Sequence, residues 1–133
     1  MASVRKDISI AAPAAEVWDA IADFYRVHER VAPGFVTDLA AEDGARTVTF
    51  SNGMVAREVL VDSDPARRRL AYAIPGGRMS AHMATVQVFE DGIDRSRIVW
   101  ITDLLPNELA DYIAGQMELA APIMRRALSR AEA

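Results

Sequence analysis

The chain opens on alternation: Val4, Lys6, Ile8 and Ile10 interleave with Arg5, Asp7 and Ser9. A period of two is what a half-buried strand requires, because successive side chains leave opposite faces of the sheet. Pro13 ends that strand and starts a helix, since its fixed φ and missing N–H suit the first helical position. Glu16 follows in the first turn, where the helix dipole favours a carboxylate. Val17, Trp18, Ile21 and Phe24 recur at helical spacing, which predicts a short helix from Pro13. A second short helix is predicted over 24–31, stopped by Ala32-Pro33-Gly34.

From Phe35 the pattern becomes that of an antiparallel meander. Short alternating runs predict strands at 35–41, 46–51, 54–62, 69–75, 79–89 and 96–104. Glu42-Asp43-Gly44, Ser51-Asn52-Gly53, Asp64-Pro65 and Gly76-Gly77 mark the turns between them, because positive φ favours Asn, Asp and Gly. In the run 54–62 the more apolar face is Val55, Arg57, Val59 and Val61, so that face is expected to point inward and carry Arg57 with it. The last segment reads as one long helix after Pro106. Leu109, Tyr112, Ile113, Gln116, Met117, Ala120, Ile123, Met124 and Ala127 gather on one side. Pro122 inside this stripe removes a donor and crowds the carbonyl of Glu118, so a kink or break is expected there. Burying both the helix stripe and one sheet face lays the helix across the sheet. The fold class is α+β: a seven-stranded antiparallel sheet wrapped around a long C-terminal helix, with two short helices between strands 1 and 2. At 133 residues one domain, 1–133, is the expected organisation.

Local wording carries a resemblance. Ile10-Ala-Ala-Pro13-Ala-Ala-Glu16-Val17-Trp18 through Ala22-Asp23-Phe24, then Arg57-Glu58-Val59, Asp64 with Arg68 and Arg69, and Ala71-Tyr72-Ala73-Ile74-Pro75-Gly76-Gly77 together resemble the START-like, helix-grip (SRPBCC, Bet v 1-like) superfamily, in its bacterial polyketide cyclase/dehydrase and lipid-transport branch. Trp100, six residues before Pro106, is similar to that branch's last strand. The resemblance implies a cavity between the long helix and the sheet that holds an apolar or amphipathic small molecule. Relatives include cyclases, carriers and hormone receptors, and scaffold likeness does not choose among them. Two departures stand out. The position matching His82 is usually aromatic in the branch, and the pocket lysine of the abscisic-acid receptors is missing. Lys6, the only lysine, falls on the first strand, which argues against abscisic acid itself.

Composition narrows the classes. A net charge of −4, with basic residues spread along the chain, lacks the basic patch of a nucleic-acid binder. No apolar run reaches the length needed to span a bilayer, and the N-terminus lacks a signal-peptide core. A cytoplasmic protein with no stable membrane insertion is expected, compatible with a homodimer. Zero cysteines exclude disulfides, thiol nucleophiles and cysteine-held metals. His28 and His82, far apart in the chain, offer no transition-metal set, so neither metal nor cofactor is expected. The chain holds 24 alanines but few aromatics. Ala71, Ala73, Ala81, Ala84, Ala114, Ala120 and Ala121 fall in segments that should bound the cavity, where small side chains would leave room for a ligand.

Several residues are candidates for chemistry. Arg57, pointed inward, is either a forked ligand anchor or half of a structural ion pair. Gln116, at the centre of the helix stripe, either bonds a ligand or water in a cavity or lies at its rim. Tyr112 offers a hydroxyl to a bound carbonyl or to water. His82 is either a proton shuttle, the one catalytic candidate, or a satisfied core residue. Tyr72 and Ile74 lead into Gly76-Gly77, with Met79 and Met83 beyond; this is either a gate at the cavity mouth or an ordinary hairpin. Trp18 and Trp100 read as core anchors ahead of ligand stackers. Val59, Ala84, Ile113, Met117 and Ala120 complete the expected ligand-binding wall. Three functions follow: a carrier or binder of a small hydrophobic molecule, a polyketide cyclase or dehydratase, and a co-chaperone-like interaction module.

Overall fold

The computed structural model describes residues 1–131. The elements run β1 (Ala2–Ile10), α1 (Ala14–Ala22), a 3₁₀ turn (Phe24–Arg26), α2 (Val27–Arg30), β2 (Val36–Glu42), β3 (Ala45–Phe50), β4 (Val55–Asp64), β5 (Arg69–Ala73), β6 (Ala81–Glu90), β7 (Ser96–Leu105), a 3₁₀ turn (Asn107–Leu109) and α3 (Ala110–Leu128). All seven strands pair antiparallel in one sheet of order β1-β7-β6-β5-β4-β3-β2. The order is that of a meander in which the first strand closes onto the last, because β1 is returned across the sheet by the two short helices. This is the architecture that the hydrophobic pattern predicts, one antiparallel sheet with the long helix laid across it.

Register shows which side faces α3. Ile8 pairs with Ile98 and Ile98 with Val88, and all three are buried. Tyr72 pairs with Ala84, and Ala84 with Thr102, on the same face. The C-terminal half of α3, through Ala120, Ala121, Met124 and Leu128, joins Ile8, Ile10, Val88 and Ile98 in the main core. Polar contacts pin that end of the helix to β1, to the residue after it and to α1. Arg125 Nε donates to the Ser9 carbonyl at 3.2 Å, the Ala11 N–H donates to Ser129 Oγ at 3.1 Å, and Arg130 pairs with Glu16. The N-terminal half instead forms a smaller cluster of Ile113 and Met117 with Leu104. The helix is thus packed tightly at one end, and a space opens beneath the other.

Three expectations change. α3 runs unbroken through Pro122; that residue and Glu118, whose carbonyl loses its donor, both lie on the exposed side, where a missing intrahelical bond costs least. Ala127 is exposed, while Ala121 and Leu128 are buried, because 113, 117, 120, 121, 124 and 128 follow the 3.6-residue period more closely. On β4 the two faces are exchanged. Ala56, Glu58 and Leu60 turn toward the core, whereas Val55 and Val61 are 61% and 65% exposed. The apolar face was a poor guide because the buried Glu58 is neutralised by Arg46, its partner on β3.

Candidate functional site

Beneath the N-terminal half of α3 lies a cavity of about 420 Å³, within the size range of small-molecule sites. α3 supplies Tyr112, Ile113, Gln116 and Met117, while Tyr72, Ile74, His82, Ala84, Trp100 and Thr102 form the sheet side. These walls are mostly apolar, with a few polar groups set into them. An inner extension of about 70 Å³ continues toward α1 and α2, walled by Ile21, Val27, Val31, Ala120 and Met124. Phe35, Phe50, Glu58, Tyr72 and Trp100 line both spaces.

Of the residues expected to bind ligand, Tyr72, Ile74, Met79, His82, Ala84, Tyr112, Ile113, Gln116 and Met117 are brought together around the main cavity. Ala120 lines the inner extension instead. Arg57 touches the cavity only at its edge. Its side chain is half-exposed and its Nε donates to Glu42 Oε1 at 2.6 Å, the structural ion pair rather than the inward anchor. Val59 is not part of the wall, since it shares Arg57's outward face. Met83 also points out, at 43% exposure. Most of the alanines expected to make room do not line either space; Ala71, Ala73 and Ala81 alternate with the inward residues of β5 and β6. Ala84 and Ala120 are the ones from that set that do.

Three segments of the cavity lining meet at Tyr112. Its hydroxyl accepts from Asn52 Nδ2 at 3.2 Å and donates to Met54 Sδ at 3.0 Å. The Arg78 guanidinium stands 5.7 Å from its ring centroid. Tyr112 therefore joins α3 to the β3–β4 turn and to the β5–β6 loop, where Gly76 and Gly77 adopt φ of 89° and 70°, a left-handed geometry that glycine adopts without strain.

The inner end carries a charged pair that the hydrophobic pattern did not reveal. Arg46 Nε donates to Glu58 Oε1 at 2.8 Å and its Nη1 to the Phe24 carbonyl at 2.7 Å. The guanidinium lies 4.1 Å from the Phe24 ring centroid and 5.1 Å from that of Tyr72. Burial pushes the Glu58 carboxyl above its ordinary range, with Arg46 pulling back. Burial, then the charge of Glu58, raises the Tyr72 phenol well above its usual value, so it keeps its proton. The one available signal for this cluster was that Arg46 and Glu58 each stand two residues from an apolar side chain, Val48 and Leu60, on the same face of their own strands.

His82 is half-buried, and burial lowers its pKa from the ordinary 6.5. The imidazole is therefore neutral in the folded protein near neutral pH. A depressed folded value contributes stability that is complete above 6.5 and is lost as pH falls from there through the folded pKa. Thermal melts between pH 8 and pH 5 should accordingly show a shallower acid-side decline for His82→Gln than for the parent. Parallel profiles would contradict this placement of His82.

The family model described as polyketide cyclase/dehydrase and lipid transport matches residues 1–133. A sequence comparison with curated proteins gives no significant match. Among solved structures, an uncharacterised protein from Bacillus thuringiensis superposes with a TM-score of 0.84 at 17% identity, covering 96% of this chain and 98% of the other. A START superfamily protein from Mycobacterium smegmatis gives 0.75 at 14%, covering 95% and 96%. Truncated norcoclaurine synthase from Thalictrum flavum gives 0.75 at 17%, covering 98% and 95%. At these identities the likeness is one of fold. Among the described residues no helix is long and apolar enough to cross a membrane, and no cluster of metal-ligating side chains occurs.

Proposed function

The chain belongs to the polyketide cyclase/dehydrase and lipid transport family, and on that premise we propose that it binds a small hydrophobic or amphipathic molecule in the cavity under α3. The observation that carries this reading is the space itself. A volume of about 420 Å³ remains where Ile113 and Met117 face Tyr72, Ile74 and Ala84, although the same helix packs closely eight residues further on. Burial of apolar ligand surface at ~25 cal/mol per Å² supplies most of the affinity. The polar groups of the wall, Gln116, His82, Tyr72 and Thr102, orient the bound molecule. Gly76 and Gly77 give the β5–β6 loop the backbone freedom to act as the gate, with Tyr112 as its catch.

Native mass spectrometry of freshly purified protein tests the reading. A retained small molecule, or uptake of an added apolar dye, is the expected result. A bare protein mass together with no dye uptake would sink it.

A second reading, cyclase or dehydratase chemistry in the same cavity, is favoured by one observation. Neutral His82 lines a space whose shape would fold a flexible substrate into a reactive conformer. In that case His82 takes the proton, and Tyr72, held protonated, donates to the substrate oxygen. Undiminished turnover in His82→Gln would remove the shuttle from this scheme. The interaction-module reading has less support, because it called for a filled or inaccessible cavity.

A further inference from the structure

The inner end of the cavity holds hydrogen-bonding capacity that the fold leaves unused. Glu58 accepts from Arg46 through Oε1, and its other oxygen takes no hydrogen bond from the described residues. Among the described residues Trp100 Nε1 is buried without a hydrogen-bond partner of full geometry, its neighbour being the Tyr72 hydroxyl. Leaving a buried donor unpaired is costly, and a retained orphan beside an open space marks a place for an incoming acceptor. Trp100, Tyr72 and Glu58 all line both the main cavity and its inner extension, so a ligand reaching the junction meets all three.

The chemistry of that set is selective. A ligand carboxylate would bring a second negative charge beside Glu58, which already pairs with Arg46. An ammonium would meet the Arg46 cation. A plain hydrocarbon would leave the Trp100 N–H unpaired. A hydroxyl both accepts and donates. Resting on the binding reading above, we propose that the cavity selects neutral ligands carrying a phenolic or alcoholic hydroxyl at their inner end. That hydroxyl accepts from Trp100 Nε1–H and donates to the unengaged carboxylate oxygen of Glu58.

Three matched probes test this: 2-naphthol, naphthalene and 2-naphthoate, titrated at pH 7 into ¹⁵N-labelled protein. Trp100→Phe assigns the Trp100 indole cross-peak by its disappearance. The expected result is 2-naphthol binding about tenfold or more tightly than either other probe, the gain of one buried hydrogen-bonded group. The Trp100 indole proton should move downfield with 2-naphthol and not with naphthalene. In Trp100→Phe the ratio of 2-naphthol to naphthalene affinity should fall toward one. Equal affinities, a preference for 2-naphthoate, or an indole proton unmoved by bound 2-naphthol would overturn the proposal, whatever the fate of the variant. If naphthalene binds and 2-naphthol binds no better, hydroxyl selection fails and the cavity reading stands. If no probe enters, both fail.

Discussion

Replacing Arg46 by methionine should cost about 3–5 kcal/mol of stability, because it strands Glu58 as a buried charge with no partner. For a chain of this length that corresponds to a fall in Tm of roughly 10–20 °C. The guanidinium is held on two sides, by a 2.8 Å contact to Glu58 and a 2.7 Å contact to the Phe24 carbonyl, with side-chain exposures of only 4% and 9% for the pair. The loss should depend on pH with a defined sign. Glu58 has a folded pKa raised above its ordinary 4.5, and removing the cation raises it further. A raised folded value gives stability that is present at low pH and lost as pH rises through the folded pKa. The deficit of Arg46→Met should therefore be smaller in acid than at pH 8. Arg46→Met combined with Glu58→Leu should recover much of the loss, since removing both ions also removes their desolvation cost. Urea and thermal melts of the three proteins at two pH values decide the matter. A double variant no better than Arg46→Met would show that packing of the guanidinium against Phe24 and Tyr72, rather than the charge pair, carries the stability.

Ala84→Phe should abolish ligand uptake while sparing the fold. Ala84 is buried on the inner face of β6, paired across the sheet with Tyr72 and Thr102, and forms part of the cavity wall. In a close-packed core, enlarging such a residue costs about 1–3 kcal/mol through strain. Here the added ring has open space to enter, and filling a void adds dispersion contacts. The expected signature is a divergence of two readouts. Affinity for an apolar probe should fall at least 100-fold, about 2.8 kcal/mol, while Tm is unchanged or rises. A fall in Tm with binding retained would mean that the space is already closed in solution.

The order of elements was legible because each rests on short-range pattern. Alternation in Val4–Ile10, proline at the start of α1, and glycine with asparagine in the hairpin turns are local signals, and each reports a backbone state directly. The helix-grip arrangement followed, since a seven-stranded meander and one amphipathic helix have few ways to bury their apolar faces together. The helix side of the cavity was legible for a related reason. Gln116 interrupts an apolar stripe, and a polar residue there marks a place where packing is incomplete.

The deep polar end was not legible. Arg46 and Glu58 are far apart in solvent preference from their neighbours on the inner face, Val48 and Leu60, and each alone argues for the outer face. They become compatible with burial only as a pair, and pairing depends on the β3–β4 register. The same exchange turned Arg57 outward to Glu42. Trp100 was read as a core anchor, which describes its ring but not its unpaired N–H.

Sequence alone thus determined the α+β meander, the two short helices and the long amphipathic helix, because periodicity and turn chemistry act over a few residues and need no partner strand. Tertiary structure alone decided which face of β4 is buried, how far α3 stands off the sheet, and what polar groups meet at the inner end of the cavity. Those depend on cross-strand register and on whether two charges neutralise each other, and both are relations between residues that no single strand contains.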